Sequence, residues 1–258
     1  MDRKYLSVFL VFTVFFIFGC SKKENLAENY IKSGNSKMAQ GNFQGAIGEY
    51  TKAIEADSQF KSAYYNRGQA ETTLGKYNQA IDDYSKAVEL DSKYGTYYFA
   101  RGMAMFALKN YQGAISDFTN AILFKLSEHT AEAYCGRGES IVLNQSASFY
   151  VGKQLSEEEI KTIQEAIRDF TFAIELKSNF AEAYAGRGMA KNILQDYGAA
   201  LLDLNKSLEL NPNFGQAYAG RGLTKIRSGN KSEGCLDLKK AEELGYSEAI
   251  GQIKLFCK

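Results

Sequence analysis

The chain has 258 residues, 45% of them hydrophobic, with 31 basic against 30 acidic side chains and a single proline. That length allows one large domain or two small ones, and the near-balance of charge removes the broad electropositive surface of a nucleic-acid binder. Average usage would supply about 13 prolines; the shortage argues against proline-rich disorder and turn-rich all-β structure and leaves room for many unbroken helices.

Arg3 and Lys4 open the chain and precede an apolar run from Tyr5 to Phe18. A spanning helix needs about 20 apolar residues and an export-signal core roughly 7–15, so this run reads as an export signal. It ends in Ile17-Phe18-Gly19-Cys20. That ending resembles a bacterial lipobox, with Phe18 in place of the usual small or aliphatic residue. The resemblance implies a signal peptide over 1–19, cleavage before Cys20 and lipidation of its sulfur; a plain secretory signal or an uncleaved anchor is the other reading. Loss of Asp2, Arg3 and Lys4 would leave equal numbers of basic and acidic residues. Residues 20–26 form a short polar tether. By likeness to enterobacterial sorting, Ser21 after the cysteine suggests the outer membrane.

From residue 27 the chain repeats. Arg-Gly recurs at Arg67-Gly68, Arg101-Gly102, Arg137-Gly138, Arg187-Gly188 and Arg221-Gly222. With the glycine at position 8 of a 34-residue unit, the repeats are 27–60, 61–94, 95–130, 131–180, 181–214 and 215–248. Position 4 is Tyr30, Tyr64, Tyr98, Tyr134, Tyr184 and Tyr218. Position 20 is Ala46, Ala80, Ala114, Ala166, Ala200 and Gly234, and position 24 is Tyr50, Tyr84, Phe118, Phe170, Leu204 and Leu238. Each unit holds two amphipathic stretches with helical period, and small residues at 8, 20 and 27 let them approach. These columns resemble the tetratricopeptide repeat (TPR) family. The resemblance implies an all-α fold: a right-handed α-solenoid of six helix hairpins over 27–258, ending in a capping helix at about 247–258. One unit cannot bury its apolar faces alone, so neighbours must stack.

Position 7, usually apolar in that family, is Arg67, Arg101, Arg137, Arg187 and Arg221, and position 23 is Asp83, Asp117, Asp169, Asp203 and Asp237. The two positions lie eight residues either side of the hairpin turn. They predict either a row of partly buried Arg–Asp pairs, suited by the guanidinium fork, or solvated edge charges.

In the TPR family, positions 2, 5, 6, 9, 12 and 13 of the first helices line the concave face. A carboxylate-clamp subgroup places three cations and two asparagines there. Here the corresponding residues are Ile31, Asn35, Asn66, Thr96 and Ala100, so both asparagines are present, the cations are missing, and a clamp is rejected. The predicted partner groove is instead an apolar trough of Tyr65, Gln69, Phe99, Met103, Phe106, Cys135, Glu139, Val142, Met189, Asn192, Ile193, Leu223 and Ile226, with Gly136, Gly186 and Gly220 leaving room along its floor. About half of these side chains are equally readable as packing between first helices.

The fourth repeat carries an insertion within 145–165. SASFYVGKQ (146–154) reads as loop, and Ser156-Glu157-Glu158-Glu159 reads as a capping box starting a long helix at about residue 157 that runs to Leu176. Phe149, Tyr150 and Val151 either fold back on the solenoid or form a second partner contact.

Beyond Cys20 the cysteines are Cys135, Cys235 and Cys257. Cys235 and Cys257 lie about 16 Å from the Gly245-Tyr246 turn in an antiparallel pair, so they are level. They read as a disulfide stapling the cap, or as two buried free thiols. Ile250, Ile253 and Cys257 are expected on the inner face of the cap. His129, the single histidine, has no partners at ligand spacing and reads as a linker residue, with no metal and no cofactor expected.

The functional expectation is a non-enzymatic, lipid-anchored adaptor or scaffold of the bacterial envelope. It would sit at the outer membrane facing the periplasm and bind a protein or peptide in the concave face, with no nucleic acid. The layout resembles secretin-assembly pilotins and adaptors that scaffold cell-wall hydrolases. The alternative is an enzyme or small-ligand binder using the groove near Cys135 and Glu139; no nucleophile–base–orienter set supports it.

Overall fold

A computed structural model describes residues 25–124, 126, 128–149 and 154–258, with the side chains of 146–149 excepted. The leader, Cys20, Tyr150 and Val151 lie outside the described residues. Those described form helices and no strand. The fold is the expected all-α succession of TPR-like hairpins, and the chain divides into two compact units, one ending at Leu108 and one beginning at Lys109.

Unit 1 holds α1 (25–39), α2 (Phe43–Ala56), α3 (Lys61–Thr73), α4 (Tyr77–Leu90) and α5 (Gly95–Ala107). Unit 2 holds α6 (Tyr111–Leu123), α7 (Thr130–Phe149), α8 (Glu157–Leu176), α9 (Ala181–Ile193), α10 (Tyr197–Leu210), α11 (Gly215–Arg227), α12 (Lys231–Glu243) and α13 (Glu248–Phe256). Within unit 2 each helix packs on the next. In addition α9 touches both α7 and α11, so these first helices form one layer.

The helix ends follow from local chemistry. The residue at position 15 sits at positive φ in five repeats: Gly41, Gly75 and Gly229 without strain, Lys109 (61°) and Gln195 (63°) against the usual preference of L-residues. The side chains of Asn42, Asn110, Asp196 and Asn230 then cap the second helices by accepting from the backbone N–H three residues on. In the fourth repeat Gln145 occupies position 15 but stays helical. Helix α7 therefore continues to Phe149, so the expected loop is helix over its first part. Helix α8 begins at Glu157 with the reciprocal Ser156–Glu159 capping box.

Small residues set the hairpin spacing. A Cβ at Gly68 would lie 2.7 Å from the Tyr84 ring and one at Gly188 2.8 Å from Leu204, so the position-24 side chain occupies the space that position 8 leaves open. Position 6 works the same way toward the preceding repeat. A Cβ at Gly136 would meet Phe118 at 2.8 Å, one at Gly186 Phe170 at 2.3 Å, and one at Gly220 Leu204 at 3.0 Å. This corrects the expectation that these glycines leave an open floor: the large side chain of the preceding repeat already fills the space.

The guanidinium groups of Arg67, Arg137, Arg187 and Arg221 each join three groups. Arg67 donates from Nε and Nη2 to both Asp83 oxygens at 2.7 Å. Its Nη1 donates to Thr51 of the preceding repeat at 3.0 Å, and its guanidinium lies 5.9 Å from the Tyr64 ring. The same bidentate geometry links Arg137 to Asp169, Arg187 to Asp203 and Arg221 to Asp237, with Nη1 reaching back to Thr119, Thr171 and Asn205. Arg101 in unit 1 donates to Ser85 and lies 5.6 Å from the Tyr98 ring, and Asp117 is buried on α6 in unit 2. In the first repeat, Ser33 and Glu49 replace the pair, and Glu49 is held by Lys37 and Lys52.

Position 11 modifies this pattern. Lys191 and Lys225 add a second cation to Asp203 and Asp237 at 2.8 and 2.9 Å, whereas the second repeat has Glu71. Burial, and then the Asp83 carboxylate, push Glu71 up to about 7, with the Arg67 and Lys76 charges opposing. Its Oε2 has no hydrogen-bond partner.

The chain ends on α13, where Cys235 of α12 and Cys257 form a disulfide with Cα atoms 5.7 Å apart. Ala249, Ile253 and Cys257 pack against Ala219, Leu238 and Ala241. Ile250 is 41% exposed, a correction to its expected inward position: it lies about 60° round the helix from Ile253, at the rim of the stripe.

Two outcomes follow for stability. Glu71 holds its proton more tightly folded than unfolded, so its contribution is full below about pH 4.5 and is lost as pH rises through about 7, on the order of 2 kcal/mol. Glu71→Gln is therefore expected to raise hydrogen-exchange protection of α3 and α4 at pH 8 and to change little at pH 4.5. Removing the disulfide with Cys235→Ser, which opens a closed loop spanning 22 residues of sequence separation, should cost about 3 kcal/mol. The loss should appear in exchange protection of α13 before that of α8.

Candidate functional site: the first-helix face

In unit 2 the first helices bring most of the sequence-selected groove residues together. Val142 of α7, Met189, Asn192 and Ile193 of α9, and Leu223 of α11 line one hollow of about 680 Å³, open solvent included, with Tyr246 and Gln252 also in its wall. Val142 and Met189 also wall a second hollow of about 560 Å³, where Glu139 and Glu182 lie with Phe170, Gly186 and Phe214. Leu143 and Gln216 line both, so the two adjoin.

Polar side chains are fixed around this apolar wall. Asn192 is 5% exposed; its amide donates to Thr224 Oγ1, and its Oδ1 accepts from Arg227 Nη1 at 2.6 Å. Gln216 Nε2 lies 3.9 Å from Met189 Sδ. Burial first, and the Glu182 charge with it, push the Glu139 carboxyl above its ordinary value against a hydrogen bond from Gln216.

Two sequence-selected residues do not line the groove. Cys135 is 5% exposed and packs in a core with Ile141, Ile163 and Phe170. Burial pushes its thiol well up, so it is a small apolar core residue with no reactive thiolate. Ile226 faces its own hairpin, where a Cβ on Gly234 would come within 2.6 Å of it. Cys135 thus joins the α7–α8 core, and Ile226 packs against the glycine of its own hairpin.

Sequence selection also missed Leu143, Glu182, Gln216 and Arg227. Glu182 and Gln216 are at position 2 and Leu143 and Arg227 at position 13, both expected groove positions. Glu182, Gln216 and Arg227 are polar residues on a face that reads as apolar, and Leu143 is apolar like its neighbours. Tyr246 and Gln252 come from the turn and the cap and carry no repeat signal.

Unit 1 has its own first-helix face. Tyr65 packs its ring 5.9 Å from Tyr84 and 5.2 Å from Tyr97, and Gln69 donates to its hydroxyl at 3.0 Å. Met103 is 45% exposed, and Phe99 and Phe106 are half-buried on α5. The two asparagines shared with a carboxylate clamp serve packing here: Asn66 donates to Asn35, which also accepts from Tyr50. Phe149 falls on the last turn of α7. His129 sits at φ 62° just before α7, where its carbonyl accepts from Ala133. Among the described residues no group of three or more His, Cys, Asp or Glu side chains could hold a metal ion, and no helix is long and apolar enough to cross a membrane.

Comparison with known proteins agrees with this architecture. Family models described as "TPR repeat" and "Tetratricopeptide repeat" match residues 34–71, 62–94 and 181–214. No curated protein sequence matches the chain. Among solved structures, the chain is similar to YrrB, described as a TPR protein with an unusual peptide-binding site (TM-score 0.57, 22% identity, 80% of this chain and 97% of that one). It is similar to a tetratricopeptide repeat protein from Parabacteroides merdae (0.58, 23%, 90% and 84%) and to pilF of Pseudomonas aeruginosa (0.64, 15%, 87% and 99%). At these identities the likeness is one of fold. The chain carries tetratricopeptide repeats, folded as helix hairpins of the TPR kind.

Proposed function

We propose that this protein is a non-enzymatic adaptor of the bacterial envelope, anchored by lipid on Cys20, which recruits or assembles a protein partner through its first-helix face. The observation that carries the binding role is the pair of adjoining hollows in unit 2. Their walls are apolar, from Val142, Leu143, Met189, Ile193 and Leu223, and Asn192 and Arg227 in the wall are held by a mutual hydrogen bond. A rigid apolar trough with a few fixed polar groups suits an extended or helical segment of another protein. TPR proteins as a class bind proteins and peptides. Envelope placement is supported by the leader ending in Ile17-Phe18-Gly19-Cys20 and by the Cys235–Cys257 disulfide, which suits an oxidising compartment. A catalytic reading is disfavoured by Cys135, whose thiol is sealed in the core.

Site-directed photo-cross-linking in cells tests the reading. A photoreactive residue at Met189 or Leu223 should give one dominant protein adduct in the membrane fraction. The same residue at Leu202, 73% exposed on α10, should not, and Cys20→Ala should move the protein out of that fraction. Equal adducts from Met189 and Leu202 would overturn the adaptor groove. Unchanged fractionation of Cys20→Ala would overturn the anchor.

A further inference from the structure

The charges around the unit 2 trough are unbalanced in a directional way. At one end, Glu139 and Glu182 line the same hollow, and among the described residues neither has a cation within salt-bridge distance; the Lys177 ammonium nearby is paired with Glu132 at 2.9 Å. At the other end, the hydrogen-bond partner of Arg227 is the neutral oxygen of Asn192, and among the described residues no carboxylate pairs with it. Lys225, two residues away, is by contrast matched to Asp237 and Glu233. Everywhere else on these helices the position-7 and position-11 charges are paired. The trough carries carboxylates without a cation at one end and, at the other, a guanidinium whose hydrogen-bond partner is an amide and not a carboxylate, separated by an apolar wall. On that wall, the side-chain carbonyl of Gln252 accepts no hydrogen bond.

From this we infer that the trough reads charge at both ends of its occupant: a short extended peptide segment with a basic residue against Glu139 and Glu182, a large apolar residue against Met189 and Val142, and an acidic residue or chain-terminal carboxylate against Arg227. The inference rests on the peptide-binding reading above and adds the chemistry of the peptide. Glu182 is at position 2 of α9 and Arg227 at position 13 of the parallel neighbour α11, about 16 Å apart along the axes at 1.5 Å per residue. An extended chain rising about 3.3 Å per residue covers that span in roughly five residues. An unpaired guanidinium offers a bidentate seat to a carboxylate, and a peptide N–H would satisfy Gln252.

The test is selection of a random heptapeptide display library on the purified full chain, on Arg227→Glu and on Glu182→Lys. Both substituted residues are exposed, and circular dichroism checks that the variants fold. The wild-type chain should enrich peptides with a Lys or Arg and an Asp or Glu flanking a Leu, Met or Phe. Replacing either flanking charge by Ala in a synthetic selected peptide should weaken binding about tenfold. Arg227→Glu should shift the selection to peptides basic at both ends, and Glu182→Lys toward acidic at both ends. Enrichment of apolar peptides without flanking charges, or the same consensus from all three proteins, would overturn this inference and leave peptide binding standing. No enrichment on any of the three would overturn both.

Discussion

The position-7 guanidinium is the interaction on which the rest of each unit depends. It holds an aspartate of its own hairpin through two parallel hydrogen bonds, a hydroxyl or amide of the preceding hairpin through a third, and lies over a tyrosine one turn back on its own helix. One side chain thereby fixes both the register within a hairpin and the offset to its neighbour. A repeat stack gains its stability from interfaces between repeats, so a contact spanning the interface has more leverage than one within a helix. The pattern changes at both ends: the first repeat carries Ser33 in place of arginine, and the sixth carries Lys239 at position 25 where the earlier repeats present Thr51, Ser85, Thr119, Thr171 and Asn205.

Packing around this node is tight because glycine faces a large side chain twice. Phe170 fills the space left by Gly138 in its own hairpin and by Gly186 in the next, and Leu204 does the same between Gly188 and Gly220. With the first helices set this close, residues at positions 2, 9, 12 and 13 fall in one layer from α7 to α11, and the hollows open along it. The trough is thus a consequence of the register: a shift of one residue in α9 would carry Met189 and Asn192 off its wall.

Much of this was legible in the residues because the repeat multiplies weak signals. One tyrosine at position 4 means little, but six in register identify the hairpins, and the Arg and Asp columns pointed to pairing before any distance was known. What stayed hidden has physical reasons. The hydroxyl and amide acceptors at position 25 vary among Thr, Ser and Asn, so they form no column by identity, only by hydrogen-bonding capacity. Cys135 and Ile226 sit at groove positions yet turn inward, Cys135 into a core with Ile163 and Phe170 and Ile226 against Gly234 of its own hairpin. Helix α7 outruns its counterparts because Gln145 stays helical where other repeats turn to positive φ, and a propensity reading of the Ser-rich stretch after it suggests a loop. Arg227 and Glu182 were passed over because their meaning lies in the partners they lack, which no single chain of letters displays.

The central claim, that the arginine node couples the helices it touches, is tested most directly by a double-mutant cycle on Arg137 and Asp169. This pair links α7 to α8 with N···O distances of 2.7 and 2.8 Å, and position 11 of that repeat is Ile141, so no lysine substitutes for the arginine. Arg137→Leu, Asp169→Leu and the double variant should be compared by denaturant unfolding. A coupling energy of about 2 kcal/mol or more is expected, the double variant losing little more than either single one. Strictly additive losses would contradict the account and reduce the arginines to edge charges.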